Sequence, residues 1–273
     1  SAGAESRILV RQAPVNLSGT EVLGCRSLPV LNGLRSPLVT RILRIPGLST
    51  RRGVNESLNI LPSRVARRLN VSDADVINLH WIHRETISLR DIGQITKPVV
   101  LTLHDMLWLL GSQHYREDFI DRNPPWVSGT LHDNRAASCN SRGEAAWNWF
   151  DDWMVARKRR SLPSRLAVIT PSTWLADQAR RSLVLAGVDV TTIPNALPLD
   201  IFRPFDSAAR SALKRQFGFP EDRVTFSFGA FRVDSDPRKG ASELTSALAE
   251  LATRRGDRRI HLAVFGGRVP LEL

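Results

Sequence analysis

The sequence predicts an α/β protein built on doubly wound parallel sheets, and three observations predict it. Short apolar runs of strand length recur at 75–79, 99–103, 166–170, 190–193, 224–228 and 260–265. Stretches with apolar residues at helical spacing separate most of these runs, the alternation expected of βαβ units. His80 and His104 stand at or just past the carboxyl ends of the first two runs, where open parallel sheets bind their ligands.

The elements follow in order. Residues 7–10 read as a strand, and residues 14–60 mix Pro, Gly, Asn and Ser with short apolar pieces, which predicts irregular structure with one short helix. Residues 62–69 suit a helix with Pro62 in its first turn and Val65 and Leu69 on one face. Residues 89–95 suit a short helix, and Val99 to Leu103 form a buried strand that ends at His104 and Asp105. Residues 111–145 are polar and without a period, as in a lid or binding loop. A helix is expected over 146–160, with Trp147, Phe150, Trp153 and Met154 on its apolar side. Arg157, Lys158, Arg159 and Arg160 close it as a solvated, basic C-terminus. Pro171-Ser172-Thr173 caps a helix from 174 to about 186, with Gly187 just past its end. Residues 195–223 hold prolines and a helix over 208–217, the natural place for a crossing between domains.

The stretch 226–251 is strand, loop, helix. Gly229 ends the strand, the loop to Gly240 carries Arg232, Arg238 and Lys239, and Leu244, Ala247, Leu248 and Leu251 mark the apolar face of the helix. Such a junction presents free N–H groups and a positive dipole end to an anion, so it reads as a cradle for a diphosphate. The bland alternative is an ordinary strand-to-helix turn with solvated charges.

Composition bounds the rest. In 273 residues, 42% hydrophobic and 24% charged are globular values. Cys25 and Cys139 give neither a disulfide framework nor metal-ligand spacing. No apolar run approaches the roughly 18 residues of a membrane span. Net charge is +11, and of 38 basic residues only Lys97, Lys158, Lys214 and Lys239 are lysines. That balance favours anionic partners: nucleotides, phosphorylated lipids, a negative membrane face or nucleic acid.

Several pieces together resemble the two-domain, GT-B-fold glycosyltransferases of family 4, of the exopolysaccharide and colanic-acid type. They are Leu79-His80-Trp81-Ile82, the run from Leu101 to Met106, Gly111 to Tyr115, Ile169 to Leu175, Ile193-Pro194-Asn195 with Phe202-Arg203-Pro204, Phe228-Gly229-Ala230 with Asp236 to Gly240, and Val264 to Gly267. Their order and spacing over 79–267 carry the resemblance. It implies two Rossmann-like domains, an acceptor-side domain over 1–198 and the start of a nucleotide-sugar domain over 199–273. It also implies retaining transfer of a sugar from a UDP- or GDP-linked donor to a saccharide or lipid-linked saccharide, in cell-surface polysaccharide synthesis.

The resemblance places His104 at the transferred sugar as the catalytic residue. Lys239, with Arg238, Arg232 and Gly229, would hold the donor diphosphate. Gly266 and Gly267 would let the backbone approach the nucleotide. Asp105, His80 and Trp81 would meet the acceptor. No metal or other cofactor is expected, and the location implied is cytoplasmic, at most peripheral on the inner membrane face. The sequence departs from the family at three places. The family's first strand and glycine-rich loop are missing upstream of Arg7. Its two donor-side glutamates fall beyond Leu273. The cysteine-bearing loop is replaced by 112–140 with Cys139 alone. A complete second domain of about 100–150 residues does not fit in 199–273. The chain is therefore expected to be a fragment, inactive alone. Competing readings are a basic nucleic-acid-binding protein, against which stands the lack of any nucleic-acid motif, a non-catalytic remnant of the same fold, and a nucleotide-sugar epimerase.

Overall fold

Apolar runs that cannot satisfy their backbone groups alone pair side by side, and here they do so in parallel. The structure, a computed structural model, describes residues 5–10, 20–22, 39, 41, 56–83, 85–115, 149–229, 236–255 and 260–266. The chain divides into two units, Ser1–Ala196 and Leu197–Leu273.

The first unit holds a four-stranded parallel sheet in the order β3 (Ile77–His80), β4 (Val99–Thr102), β5 (Leu166–Thr170), β6 (Asp189–Thr192). Ile77 pairs with Val99, Val99 with Leu166, and Ala167 with Asp189, so the strands start nearly level. The order advances in one direction, so the reversal that defines a doubly wound sheet does not fall within these four strands. A separate parallel pair joins β1 (Ile8–Val10) to β2 (Thr20–Val22). The sequence reading placed irregular structure at β2, because three residues are too few to show a period.

Helices connect the strands: α1 (Val65–Val71) precedes β3, α2 (Leu89–Gly93) leads to β4, α3 (Trp149–Arg160) to β5 and α4 (Thr173–Arg181) to β6. Ser88 caps α2 by accepting from Asp91 N, and Ser172 caps α4 by accepting from Leu175 N. Two boundaries differ from the sequence reading. The first helix starts at Val65 rather than near Pro62, with Arg64 in the left-handed region at φ 58°. The helix after Ser172 stops at Arg181 rather than about 186. There Ser182 turns extended, and Leu183, Val184 and Leu185 drop into the core. Burying those three side chains outweighs extending the helix by one turn, at roughly 1.5–3 kcal/mol each.

The core gathers Leu79, Leu101 and Val168 from the strands and Leu103 from just past β4 with Leu109, Leu110, Met154 and Ala176 from the segments over them. On α3, Phe150 and Met154 are buried as expected, but Trp153 is 42% exposed, with the Arg157 guanidinium over its ring. Trp147 lies outside the described residues. Gly111 is required here: a Cβ at this position would fall 2.8 Å from Asp151 Cα.

The second unit holds α5 (Ser207–Gln216), the parallel pair β7 (Val224–Gly229) and β8 (Ile260–Phe265), a 3-10 turn at Pro237–Lys239 and α6 (Ala241–Arg255). Among the described residues, no helix is long and apolar enough to cross a membrane.

Candidate functional site

The carboxyl ends of β3 and β4 carry two tiers of histidines. The outer tier is His80, the last residue of β3, and His104, two residues past the end of β4. Register pairs His80 with Thr102, which brings the two rings to the same sheet edge. His80 Nδ1 lies 3.0 Å from His104 Nε2, and both residues are exposed. One proton bridges two such nitrogens well, whereas two charged rings repel. Partial burial, and then the neighbouring His104, push the His80 imidazole below its ordinary value.

Beside this pair Trp81 holds a left-handed backbone, φ 43°, and leaves its indole 55% exposed. A non-glycine residue in that region costs on the order of 1–3 kcal/mol unless its surroundings fix it. The surroundings do so through Glu85, itself at φ 62°. Its carboxylate accepts from Asn59 N at 2.6 Å and Leu61 N at 2.8 Å, while Asn59 Nδ2 donates to Ile82 O and Ile87 O. The segment 56–61 thus straps the loop that follows β3. A small cleft opens among Trp81, His83, Leu103, His104, Asp105 and Trp108.

The inner tier lies beneath. Asp105 is buried, and its carboxylate is spent inside the protein. Oδ1 accepts from Leu107 N at 3.0 Å, and Oδ2 meets His114 Nδ1 at 2.8 Å. His83 Nε2 also lies 3.0 Å from Oδ2, but off the direction a hydrogen bond needs. Both ring nitrogens of His83 are therefore without a hydrogen bond among the described residues. Ser57 Oγ sits 2.9 Å from His114 Nε2. Ser57, His114 and Asp105 thus have the connectivity of a nucleophilic triad, but Ser57 is 3% exposed, so its hydroxyl is sealed from any substrate.

Desolvation works to raise the Asp105 carboxyl, but the hydrogen bond from His114, the close approach of His83 and the charges of both rings outweigh it and hold the group well below the usual carboxylate range. Burial lowers His83, against the opposing pull of Asp105.

Lys158 completes this tier. It was expected in a solvated basic helix end, yet it is 2% exposed. Its ammonium donates to the carbonyls of Leu107, Leu110 and Gly111, the last at the end of the turn that follows Asp105. It therefore caps that turn from the side, where no intrahelical partner exists. Burial lowers the Lys158 pKa to about 7, opposed by the charges of Asp105 and Asp151.

The sequence reading named His104, His80, Trp81 and Asp105, and the structure brings all four to one sheet edge. It did not assign roles to His83, His114, Ser57 or Lys158. His114 lies inside the quoted Gly111 to Tyr115 piece and His83 directly follows the Leu79 to Ile82 piece, but no spacing rule links residues 57, 83, 105, 114 and 158. The start of the expected 111–145 loop is also not open: Gly111 to His114 are buried, and Gln113 bridges Glu56. Residues 116–148, including Cys139, lie outside the described residues.

No protein-family model matches this chain, and no curated protein matches it.

In the second unit, Gly229 ends β7 opposite Phe265 of β8. A Cβ at Gly229 would lie 2.3 Å from the Phe265 ring, so a larger residue there would have to turn that exposed ring aside. Arg238 forks onto Asp236, Nε to Oδ1 at 2.9 Å and Nη2 to Oδ2 at 2.6 Å. The Arg238 hydrogen bonds lower the Asp236 carboxyl, and much of the guanidinium charge is neutralised locally. Lys239 is exposed at the last residue of the 3-10 turn, and Gly240, φ 75°, leads into α6. Gly266, φ 84°, follows β8 in a conformation that favours glycine. Arg232 and Gly267 lie outside the described residues.

Proposed function

We propose that this chain takes part in sugar transfer from a nucleotide-sugar donor to a saccharide or lipid-linked saccharide acceptor, on a GT-B-like pair of Rossmann-like domains. The observation that carries this reading is the exposed His80–His104 pair at the carboxyl ends of two adjacent parallel strands, beside an exposed indole. Open parallel sheets bind ligands at that edge, and a sugar ring offers C–H faces to an indole and hydroxyls to imidazoles. His104 is the residue that faces the transferred sugar, with Trp81 and His80 on the acceptor side. Asp105 acts only through what it positions, since its oxygens are engaged below.

In the second unit, Lys239 and the N-terminus of the 15-residue helix α6 supply positive charge for the departing diphosphate. Arg238 contributes less, because Asp236 already holds it. The setting proposed is the cytoplasmic face of the membrane, in surface-polysaccharide assembly.

The test is release of nucleoside diphosphate from UDP- and GDP-sugars, by the protein as its gene encodes it, with and without mono- and oligosaccharide acceptors. Acceptor-dependent release that falls at least about 100-fold in His104→Ala and Lys239→Ala supports the reading. Release that is absent from the unaltered protein, or unchanged in both variants, overturns it.

A further inference from the structure

Four facts about the inner tier are left over once sugar transfer has been assigned to the outer one. First, His83 is 4% exposed and neither ring nitrogen has a hydrogen bond among the described residues. Burying an imidazole this way is costly, because each polar group left unpaired has given up its water without a replacement. Second, His83 Nε2 and His114 Nδ1 stand 3.0 and 2.8 Å from the same oxygen, Asp105 Oδ2. Third, one atom from each of the three residues falls within 4.8 Å of the others. Fourth, the opposite nitrogen of His114 is held by Ser57 Oγ at 2.9 Å.

We propose that His83, Asp105 and His114 form a binding site for a divalent transition metal, and that zinc is the ion their chemistry suits. Two imidazole nitrogens and one carboxylate oxygen are a ligand set of zinc sites. Ligands about 2 Å from a tetrahedral zinc lie roughly 3.3 Å from one another, so small ring and carboxylate rotations open these contacts to that spacing. An ion at their centre gives Nε2, one of the two idle His83 nitrogens, a partner. It also explains why Nε2 points toward Oδ2 without hydrogen-bond direction. His114 then ligates through Nδ1 and donates Nε2–H to Ser57, the outer partner that fixes a ligating imidazole. The buried carboxylates of Asp105 and Asp151 offset the added charge.

The three ligands come from the loop after β3, the turn after β4 and the 111–115 segment. One ion therefore fastens all three under the cleft that carries His104. Its role is structural, and the fourth position is left to water or to another group at the site.

The experiment is metal analysis of protein purified without chelator, followed by stripping and titration with Zn2+ and with Co2+ as the visible probe. About one equivalent per chain is expected, with a rise in melting temperature on adding Zn2+ and a tetrahedral Co2+ absorption band. His114→Ala and Asp105→Asn lose the equivalent, whereas His104→Ala keeps it, which separates this site from chance binding by the exposed pair. Ser57→Ala, which keeps all three ligands, weakens Zn2+ about 10–100-fold. If the ligand variants do not fold, the Ser57→Ala titration decides. Three results overturn the proposal: no bound metal together with no thermal shift on adding Zn2+, metal that departs with His104→Ala but stays in His114→Ala, and Ser57→Ala binding as tightly as the unaltered protein.

Discussion

The outer and inner tiers of histidine both gather at the carboxyl ends of β3 and β4, yet they live in opposite environments. His80 and His104 face solvent, touch each other at 3.0 Å and depend on little else. His83 and His114 are sealed from solvent, share one carboxylate and sit near a buried lysine. The lesson is that burial, rather than residue type, divides the labour. A polar group under the surface must be partnered, so the inner tier is bound into the fold. The outer tier can be changed at small cost to the fold, which leaves it available for chemistry.

The comparison can be broken first at Lys158. Lys158→Ala strands three carbonyls and leaves Asp105 and Asp151 without their cation. Removing one partner of a buried charge set costs about 3–5 kcal/mol. The melting temperature should fall by roughly 6–20 °C, and a change below about 2 °C would mean that the ammonium is solvated after all. Gly111→Ala is the next largest. The new Cβ meets the Asp151 backbone, which cannot swing aside as a side chain tip can. We expect a loss of about 1–3 kcal/mol in denaturant unfolding.

Acid sharpens the contrast. His83 and His80 resist protonation in the folded protein, while in the unfolded chain they take it up near 6.5. Their folded values are lowered, so the unfolded state binds more protons as pH falls through that window. Their stability contribution is present above 6.5 and is lost below it. Melting should therefore occur at a lower temperature at pH 5 than at pH 7.5, and His83→Phe should flatten the slope. Asp105 works in the same direction, but only below its ordinary 3.8. A melting temperature that rises toward acid would contradict this account. The smallest expected effect on stability is His104→Ala, within about 0.5 kcal/mol, because the side chain is exposed.

The contrast also explains what the sequence could reveal. Runs such as Val99 to Thr102 and Leu166 to Thr170 are apolar up to a closing threonine, so their strands and parallel class are legible from local pattern. The outer tier is legible because it lies at or just past strand ends, a position that can be read once the strands are placed. The inner tier is not. Lys158 sits among three arginines and looks like solvated charge, and only the turn at Leu107 to Gly111 makes it a buried cap. Ser57, His83, Asp105 and His114 meet through tertiary packing across more than 50 residues of chain. β2 escaped for a different reason, being three residues whose pairing with β1 supplies what the local pattern lacks.

The most direct measurement is the rate of nucleoside diphosphate release by His104→Ala beside that of the unaltered protein, with both melting temperatures taken on the same preparations. The account predicts a rate lower by about 100-fold or more at an unchanged melting temperature. An equal rate, or a loss of rate matched by a collapse in melting temperature, would show that the exposed pair belongs to the scaffold rather than to the chemistry.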